Sequence, residues 1–276
     1  MKRYLDKRNR RLVYIGKKAT PDFWDHHWNV KNFRESVERG KKDILLLKTM
    51  SKYLPDKKGK ILDGGCGISQ KIYCMFIHRY KAIGVDFAKK TIKRVKEVFP
   101  ELDVRLGDVR NLLFPDNTFV GYWSVGVIEH FWEGYGVILK EMRRVLIPGG
   151  YLFLSFPYMS PLRRLKAKIG LYSEFNSEGK DDFFQFALNE KAVITDFKTI
   201  GFKLLEKNPI STIKGFIDEV SSFKYILQKL LDYKGKNKWV RGFRFMLRKV
   251  LSYLGTGHSV FLVFKNIKLS LEDNMI

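Results

Sequence analysis

Asp63, Asp86 and Asp108 each stand at the end of a short apolar run, and the residues around them carry the first chemical signal in the sequence. Asp63 opens the segment Asp63-Gly64-Gly65-Cys66-Gly67-Ile68-Ser69, which follows a strand candidate and begins a helix candidate. Glycines allow close approach of backbone to a ligand, and a helix N-terminus offers unpaired N–H groups to polar atoms. Asp86 ends the next strand candidate, 19 residues after Gly67. A carboxylate there can hydrogen-bond both hydroxyls of a ribose, which favours a nucleoside-bearing cofactor. On spacing alone, the glycine turn serves equally well as a tight connection. Two details separate the possible cofactors. Reading G-x-G-x-x-G from Gly65 and Gly67 puts Gln70 at the last position, where it crowds the packing that a pyrophosphate needs. Asp63 is repulsive beside a pyrophosphate and welcome beside an ammonium, so charge favours S-adenosylmethionine over NAD or FAD.

Further residues of chemical interest lie beyond this loop. Gly107-Asp108-Val109 offers an acidic side chain and a neighbouring N–H that can read adenine. The fourth apolar run ends in Ser124-Val125-Gly126-Val127-Ile128-Glu129-His130-Phe131. A hydroxyl acceptor benefits from a general base with a pKa near working pH, and histidine has one intrinsically. His130 is therefore the candidate base, with helix capping or a backbone hydrogen bond as its plainer duty. Glu129 can orient His130 or bind cofactor. In the string Phe23-Trp24-Asp25-His26-His27-Trp28, the side chains of Trp24, His27 and Trp28 can close a pocket against water or simply pack on a sheet. Phe183, Phe184 and Phe186 pose the same choice between acceptor pocket and core. Two cysteines, Cys66 and Cys74, are too few for a disulfide framework or a zinc site, and no metal-site signature is present.

Holding these groups together requires a sheet. Lys60–Asp63, Lys81–Asp86, Leu102–Leu106, Phe119–Val127 and Tyr151–Phe156 read as strands, with the last entered through a Pro148-Gly149-Gly150 turn. Helices are expected over Gln70–Tyr80, Lys89–Phe99, Tyr135–Leu146 and Lys191–Ile200, and two more strands over Phe202–Lys207 and Ser259–Lys265. Strands alternating with helices indicate an α/β fold with a parallel sheet covered on both faces. Before it, residues 22–54 read as mostly helical. Residues 1–18, with eight Lys or Arg against one Asp, read as a basic arm. Two stretches interrupt the alternation. Residues 157–188 have little periodicity. Residues 214–254 contain one basic amphipathic helix candidate on Phe216, Val220, Phe223, Leu227 and Leu230, and another on Val240, Phe243, Leu247, Val250 and Leu254. Both stretches are expected to shape a substrate site.

Taken in order, the glycine loop, Asp86, Gly107-Asp108-Val109, Phe114-Pro115-Asp116-Asn117-Thr118-Phe119, Ser124–Phe131 and Ile147-Pro148-Gly149-Gly150-Tyr151 resemble the class I S-adenosylmethionine-dependent methyltransferases. The similarity is to the small-molecule branch that includes ubiquinone and menaquinone methyltransferases (type 11). It is strong over residues 58–156 and weaker over 184–210 and 257–265. The resemblance implies a Rossmann-like, seven-stranded, mostly parallel sheet with an antiparallel last strand, helices on both faces and helical insertions. It also implies that Asp63, Gly65 and Gly67 line a methionine moiety, Asp86 a ribose, and Asp108 with Val109 an adenine. Val125 and Gly126 would supply backbone near the methionyl end, and Gly64, Cys66 and Phe87 complete the expected cofactor-binding set. Ser69 departs from the family, which often has a third glycine there. The implied organisation is a basic arm and helical cap over 1–56, a methyltransferase domain over 57–267 with insertions at about 157–188 and 211–255, and a tail over 268–276.

Composition sets the remaining expectations. Fifty-two Lys and Arg against 29 Asp and Glu leave a formal charge of +23, within a 45% apolar composition ordinary for a globular core. No run approaches the length of a membrane span, and no apolar leader opens the chain, so a cytoplasmic protein is expected. The first expectation for its partner is a small-molecule, lipid-linked or glycan acceptor, methylated by in-line displacement. The basic amphipathic segments would then form a lid or rest peripherally on an anionic membrane. An RNA methyltransferase is second, suggested by charge. Strand four, however, lacks an Asn/Asp-Pro-Pro-aromatic motif at its end and has no nucleophilic cysteine there. A non-catalytic cofactor-binding interaction protein is third.

Overall fold

The computed structural model describes residues 1–176, 179–220, 224–233, 235 and 237–267. It begins with β1 (Lys2–Asp6) and β2 (Arg11–Ile15), followed by α1 (Pro21–His27), α2 (Phe33–Glu38) and α3 (Ile44–Tyr53). An alternating run comes next: β3 (Lys60–Gly64), α4 (Gln70–Ile77), β4 (Lys81–Asp86), α5 (Lys89–Val98), β5 (Val104–Leu106), β6 (Phe119–Val125), α6 (Gly136–Val145) and β7 (Leu146–Pro157). The remainder comprises α7 (Pro161–Lys168), β8 (Ser173–Glu174), β9 (Phe183–Ala187), α8 (Glu190–Thr199), β10 (Phe202–Ile210), α9 (Thr212–Glu219), α10 (Lys224–Asp232), α11 (Lys238–Tyr253) and β11 (Ser259–Asn266).

Seven strands form the main sheet in the order β10-β11-β7-β6-β3-β4-β5. Its centre is parallel, and β11 runs antiparallel to both β7 and β10. Strands buried on both faces require apolar side chains at successive positions, because neighbours point to opposite sides. Ile61 and Leu62, Tyr122 and Trp123, and Phe153 and Leu154 divide in this way between two cores. One core packs against α6 and α8 through Ile138, Met142, Val193 and Phe197. The other packs against α3, α4 and α5 through Leu46, Met50, Ile72 and Val95.

Three local expectations change. The first 18 residues are not a free arm. β1 and β2 form an antiparallel hairpin inside a second, four-stranded sheet of order β8-β1-β2-β9. Leu12 and Val13 are fully buried, on opposite faces, and the cations stay at the surface, three of them in the exposed turn Lys7–Arg10. The Pro148-Gly149-Gly150 turn lies within β7, where its register with β6 shifts between Phe119 and Gly121. The helix expected across Phe216–Leu230 ends at Glu219, with Val220 extended. Glu219 is held by partners on other elements, described below, which fixes the direction of the chain there. Phe223 and the 268–276 tail lie outside the described residues.

Candidate active site

From β3 the chain moves outward to β4 and β5 on one side and to β6 and β7 on the other. Such a switch in direction leaves a crevice at the carboxyl ends of the strands. Here it is a cavity of about 300 Å³. Its floor comprises Gly65 and Gly67 after β3, Asp86 and Phe87 at the end of β4, Asp108 and Val109 after β5, and Val125 and Gly126 at the end of β6. Trp24 of α1 and Trp28 just after it form its roof, and His130 and Phe131 close one side.

The glycine loop and Asp86 are built as one unit. Gly67 has φ +50°, and a Cβ there would come within 3.0 Å of the Trp28 indole. Glycine thus allows both the turn and the contact of the roof with the floor. Gly67 N–H donates to Asp86 Oδ2 at 2.8 Å, and Ala88 N–H donates to Oδ1 at 2.9 Å. Burial raises the Asp86 carboxyl above its usual range, against these and other backbone hydrogen bonds. Each oxygen has a second lone pair, so the carboxylate retains capacity for a vicinal diol. Asp108 is engaged differently, by Arg110 Nη2 at 2.6 Å and by the Arg110 backbone N–H at 2.8 Å. Burial alone would raise its carboxyl, but the Arg110 hydrogen bonds outweigh that and hold it low.

Several expected contacts lie behind the cavity wall. Asp63, Gly64 and Cys66 do not line it. Gly64 makes room for Tyr122, whose hydroxyl would be 2.2 Å from an added Cβ. Cys66 packs over Gly84, and burial pushes its thiol well up. Asp63 is buried, and loss of water pushes its carboxyl up to about 7 despite Lys71. Glu129 is also buried beside the cavity, its pKa pushed up by burial to about 8, and its Oε2 has no partner among the described residues. His27 is exposed on the outer side of α1, against Phe23 and Trp28, and does not reach the cavity.

His130 stands where two spaces meet. Its ring is edge-on to Trp24 and Phe184, each at a centroid distance of 5.0 Å. Nδ1–H donates to the Phe184 backbone carbonyl at 2.7 Å, which leaves the lone pair on Nε2. Burial pushes the imidazole down to about 4, against this hydrogen bond, so the ring is neutral at pH 7. Beyond it lies a second cavity of about 470 Å³, lined by Trp132, Phe183, Lys18, Lys180, Glu133 and Asp181 among others. Ala19, Arg110, His130 and Phe131 border both cavities. Phe184 thus contributes its ring and carbonyl to holding His130, without lining either cavity.

Asp25 was not among the expected site residues, yet it fixes the roof. Its Oδ1 accepts Thr91 N–H at 2.7 Å and the Thr91 hydroxyl at 2.9 Å, while Oδ2 accepts Lys90 N–H at 3.1 Å. These are free N–H groups at the start of α5, so Asp25 of one helix caps another. An acid within an aromatic string was the available signal. Thr20 begins the roof as its own N-cap, accepting Phe23 N–H at 3.2 Å, with Pro21 following.

Comparison with known proteins gives a matching assignment. Residues 62–154 match the family described as "Methyltransferase domain". A "Probable S-adenosylmethionine-dependent methyltransferase" of Mycolicibacterium smegmatis is 31% identical over 97 residues, 35% of this chain and 37% of that one. A "Probable tRNA methyltransferase 9B" of Bos taurus is 33% identical over 96 residues, 34% of this chain and 20% of that one. The chain therefore spans well under half the length of these curated relatives. The solved PH0226 protein of Pyrococcus horikoshii OT3 has a TM-score of 0.53 and 20% identity, covering 87% of this chain and 93% of its own, and shows the same fold. The site fits the cofactor this family uses. Asp86 has free acceptor capacity for a ribose, and a Cβ at Gly67 would press on the Trp28 indole, so glycine keeps that cradle open. Residues 62–154 carry the methyltransferase domain of the class I S-adenosylmethionine-dependent methyltransferases.

Proposed function

We propose that the protein transfers a methyl group to a small-molecule acceptor, free or as the head of a lipid or glycan, bound in the cavity beyond His130. When bound, S-adenosylmethionine supplies a methyl group on a sulfonium, already activated for displacement. Asp86 would hold the ribose, and the backbone at Gly65, Gly67 and Gly126 would border the methionyl part. Trp24 and Trp28 cover the crevice and exclude water. The acceptor enters from the side of Trp132 and Phe183 and meets His130 at the border of the two spaces. Nε2 accepts a hydrogen bond from an acceptor hydroxyl or amine and so aims its lone pair. With a pKa near 4, His130 is a weak base, so positioning outweighs proton removal in its contribution.

The observation that carries this reading is the shared border of Ala19, Arg110, His130 and Phe131. A second cavity of about 470 Å³ is also of the size that small ligands occupy. A second reading, an RNA acceptor, draws on the +23 charge and the similarity to the Bos taurus protein. Labelled methyl transfer from S-adenosylmethionine into small-molecule, lipid and RNA extracts separates the two. Label in the first two fractions is expected. Label confined to RNA would replace the small-molecule reading, and failure of the cofactor to bind in calorimetry would sink both.

A further inference from the structure

α11 uses only one edge of its apolar surface to hold itself to the protein. Leu251 is buried against Ile213 and Ile217 of α9, with Leu247 packed beside them. The rest of the apolar arc faces outward. Trp239, Phe243, Met246, Val250 and Tyr253 recur at alternating spacings of four and three, which places them in one stripe along the helix. All five are exposed, Trp239 at 88% and Tyr253 at 93%, with Leu254 beside the last. Lys238 and Lys249 flank the stripe on one side, Arg241 and Arg248 lie across the helix from it, and no acidic residue occurs between Lys238 and Leu254. At its C-terminal end Gly255 accepts Leu162 N–H from α7, a helix that exposes Leu165 and, just after it, Ile169 and Leu171.

We propose that this face docks on an anionic lipid bilayer, lying in the headgroup region with the stripe directed toward the acyl chains. The pattern is that of an interfacial helix: an apolar face, a basic flank and aromatic side chains near both ends. Sixteen residues span about 24 Å at 1.5 Å each, short of a bilayer core. No described helix is long and apolar enough to cross a membrane. A second copy of the chain fits poorly, because pairing two stripes would press cationic flanks together without counter-charge. RNA would engage Lys238 and Lys249 but leave Met246, Val250 and Leu254 without apolar partners, whereas lipid satisfies both sets. This proposal is independent of the acceptor's identity and of methyl transfer.

Flotation of the full chain with vesicles tests it, comparing phosphatidylcholine alone with an equimolar phosphatidylcholine–phosphatidylglycerol mixture. Binding to the anionic vesicles is expected to be tighter by about tenfold or more, since each basic residue near such a surface contributes favourably. K238E/K249E removes that preference. F243S/V250S weakens the binding that persists in high salt, where charge attraction is screened. Both pairs replace exposed side chains, and thermal melts matching the wild type verify their folding. Equal binding to both vesicles, or binding to neither, overturns the proposal. So does a concentration-dependent dimer lost in F243S/V250S, or RNA binding lost only in K238E/K249E without vesicle binding.

Discussion

At the scale of single residues, His130 is where burial and chemistry conflict. Folding lowers its pKa from 6.5 to about 4, so its contribution to stability is intact above pH 6.5 and is lost as pH falls toward 4. The loss amounts to about 3 kcal/mol at 1.36 kcal/mol per unit. Urea titrations at pH 7 and pH 4 should show His130→Gln spared that increment; parallel losses in both proteins would refute the burial account. The variant should also lose about tenfold to a hundredfold in kcat if Nε2 positions the acceptor. Wild-type activity should show no inflection near 6.5. The sequence made His130 legible as a strand-end imidazole, and its possible backbone hydrogen bond was foreseen. Its depressed pKa was not, because desolvation comes from Trp24 and Phe184, distant in the chain. Asp86 was legible by spacing. Asp63, Gly64 and Cys66 were placed in the right loop, but packing holds them behind the crevice wall, Gly64 against Tyr122 and Cys66 over Gly84.

At the scale of elements, the roof depends on one helix capping another. Asp25 supplies acceptors to the first N–H groups of α5, and this contact fixes α1 with Trp24 and Trp28 over the cavity. Asp25→Ala should cost about 1–2 kcal/mol of stability, the range for a lost N-cap. It should weaken cofactor binding in calorimetry as well, through the displaced roof. Asp25→Asn keeps acceptor capacity and should recover much of both. A variant that loses stability while binding cofactor normally would show that the roof is not needed for binding. Helix and strand positions within residues 60–156 could be read from local periodicity. A cap donated from α1 to α5 could not, since the side chain and its partners are 65 and 66 residues apart.

At the scale of the whole molecule, Glu219 joins the insertions to the N-terminal hairpin. Its carboxylate receives Arg3 Nη1 at 2.8 Å, Arg163 Nε at 2.9 Å, Lys166 Nζ at 2.9 Å and the Tyr172 hydroxyl at 2.5 Å. Burial alone would raise this carboxyl, yet the bonds from Tyr172, Lys166 and Arg163 hold it below its usual range. Glu219→Ala leaves Arg163 buried without a carboxylate partner and should cost about 3–5 kcal/mol in denaturant unfolding. A cost below about 1 kcal/mol would mean that the cluster relaxes or hydrates readily. The sheet was legible because its strands are continuous apolar runs. The hairpin was hidden because its apolar residues form only two short runs, Tyr4-Leu5 and Leu12-Val13-Tyr14-Ile15, amid many cations, and β9 lies far along the chain. That distance also sets an order of assembly. Residues 63–131, which form the floor of the cofactor crevice, leave the ribosome well before Phe184. The carbonyl that selects the tautomer of His130 arrives only when β9 pairs with the long-completed β2. During synthesis, the pocket for the methyl donor can therefore take shape before the wall proposed to align the acceptor, so on that proposal a half-made chain has a place for the reagent but no complete place for its target.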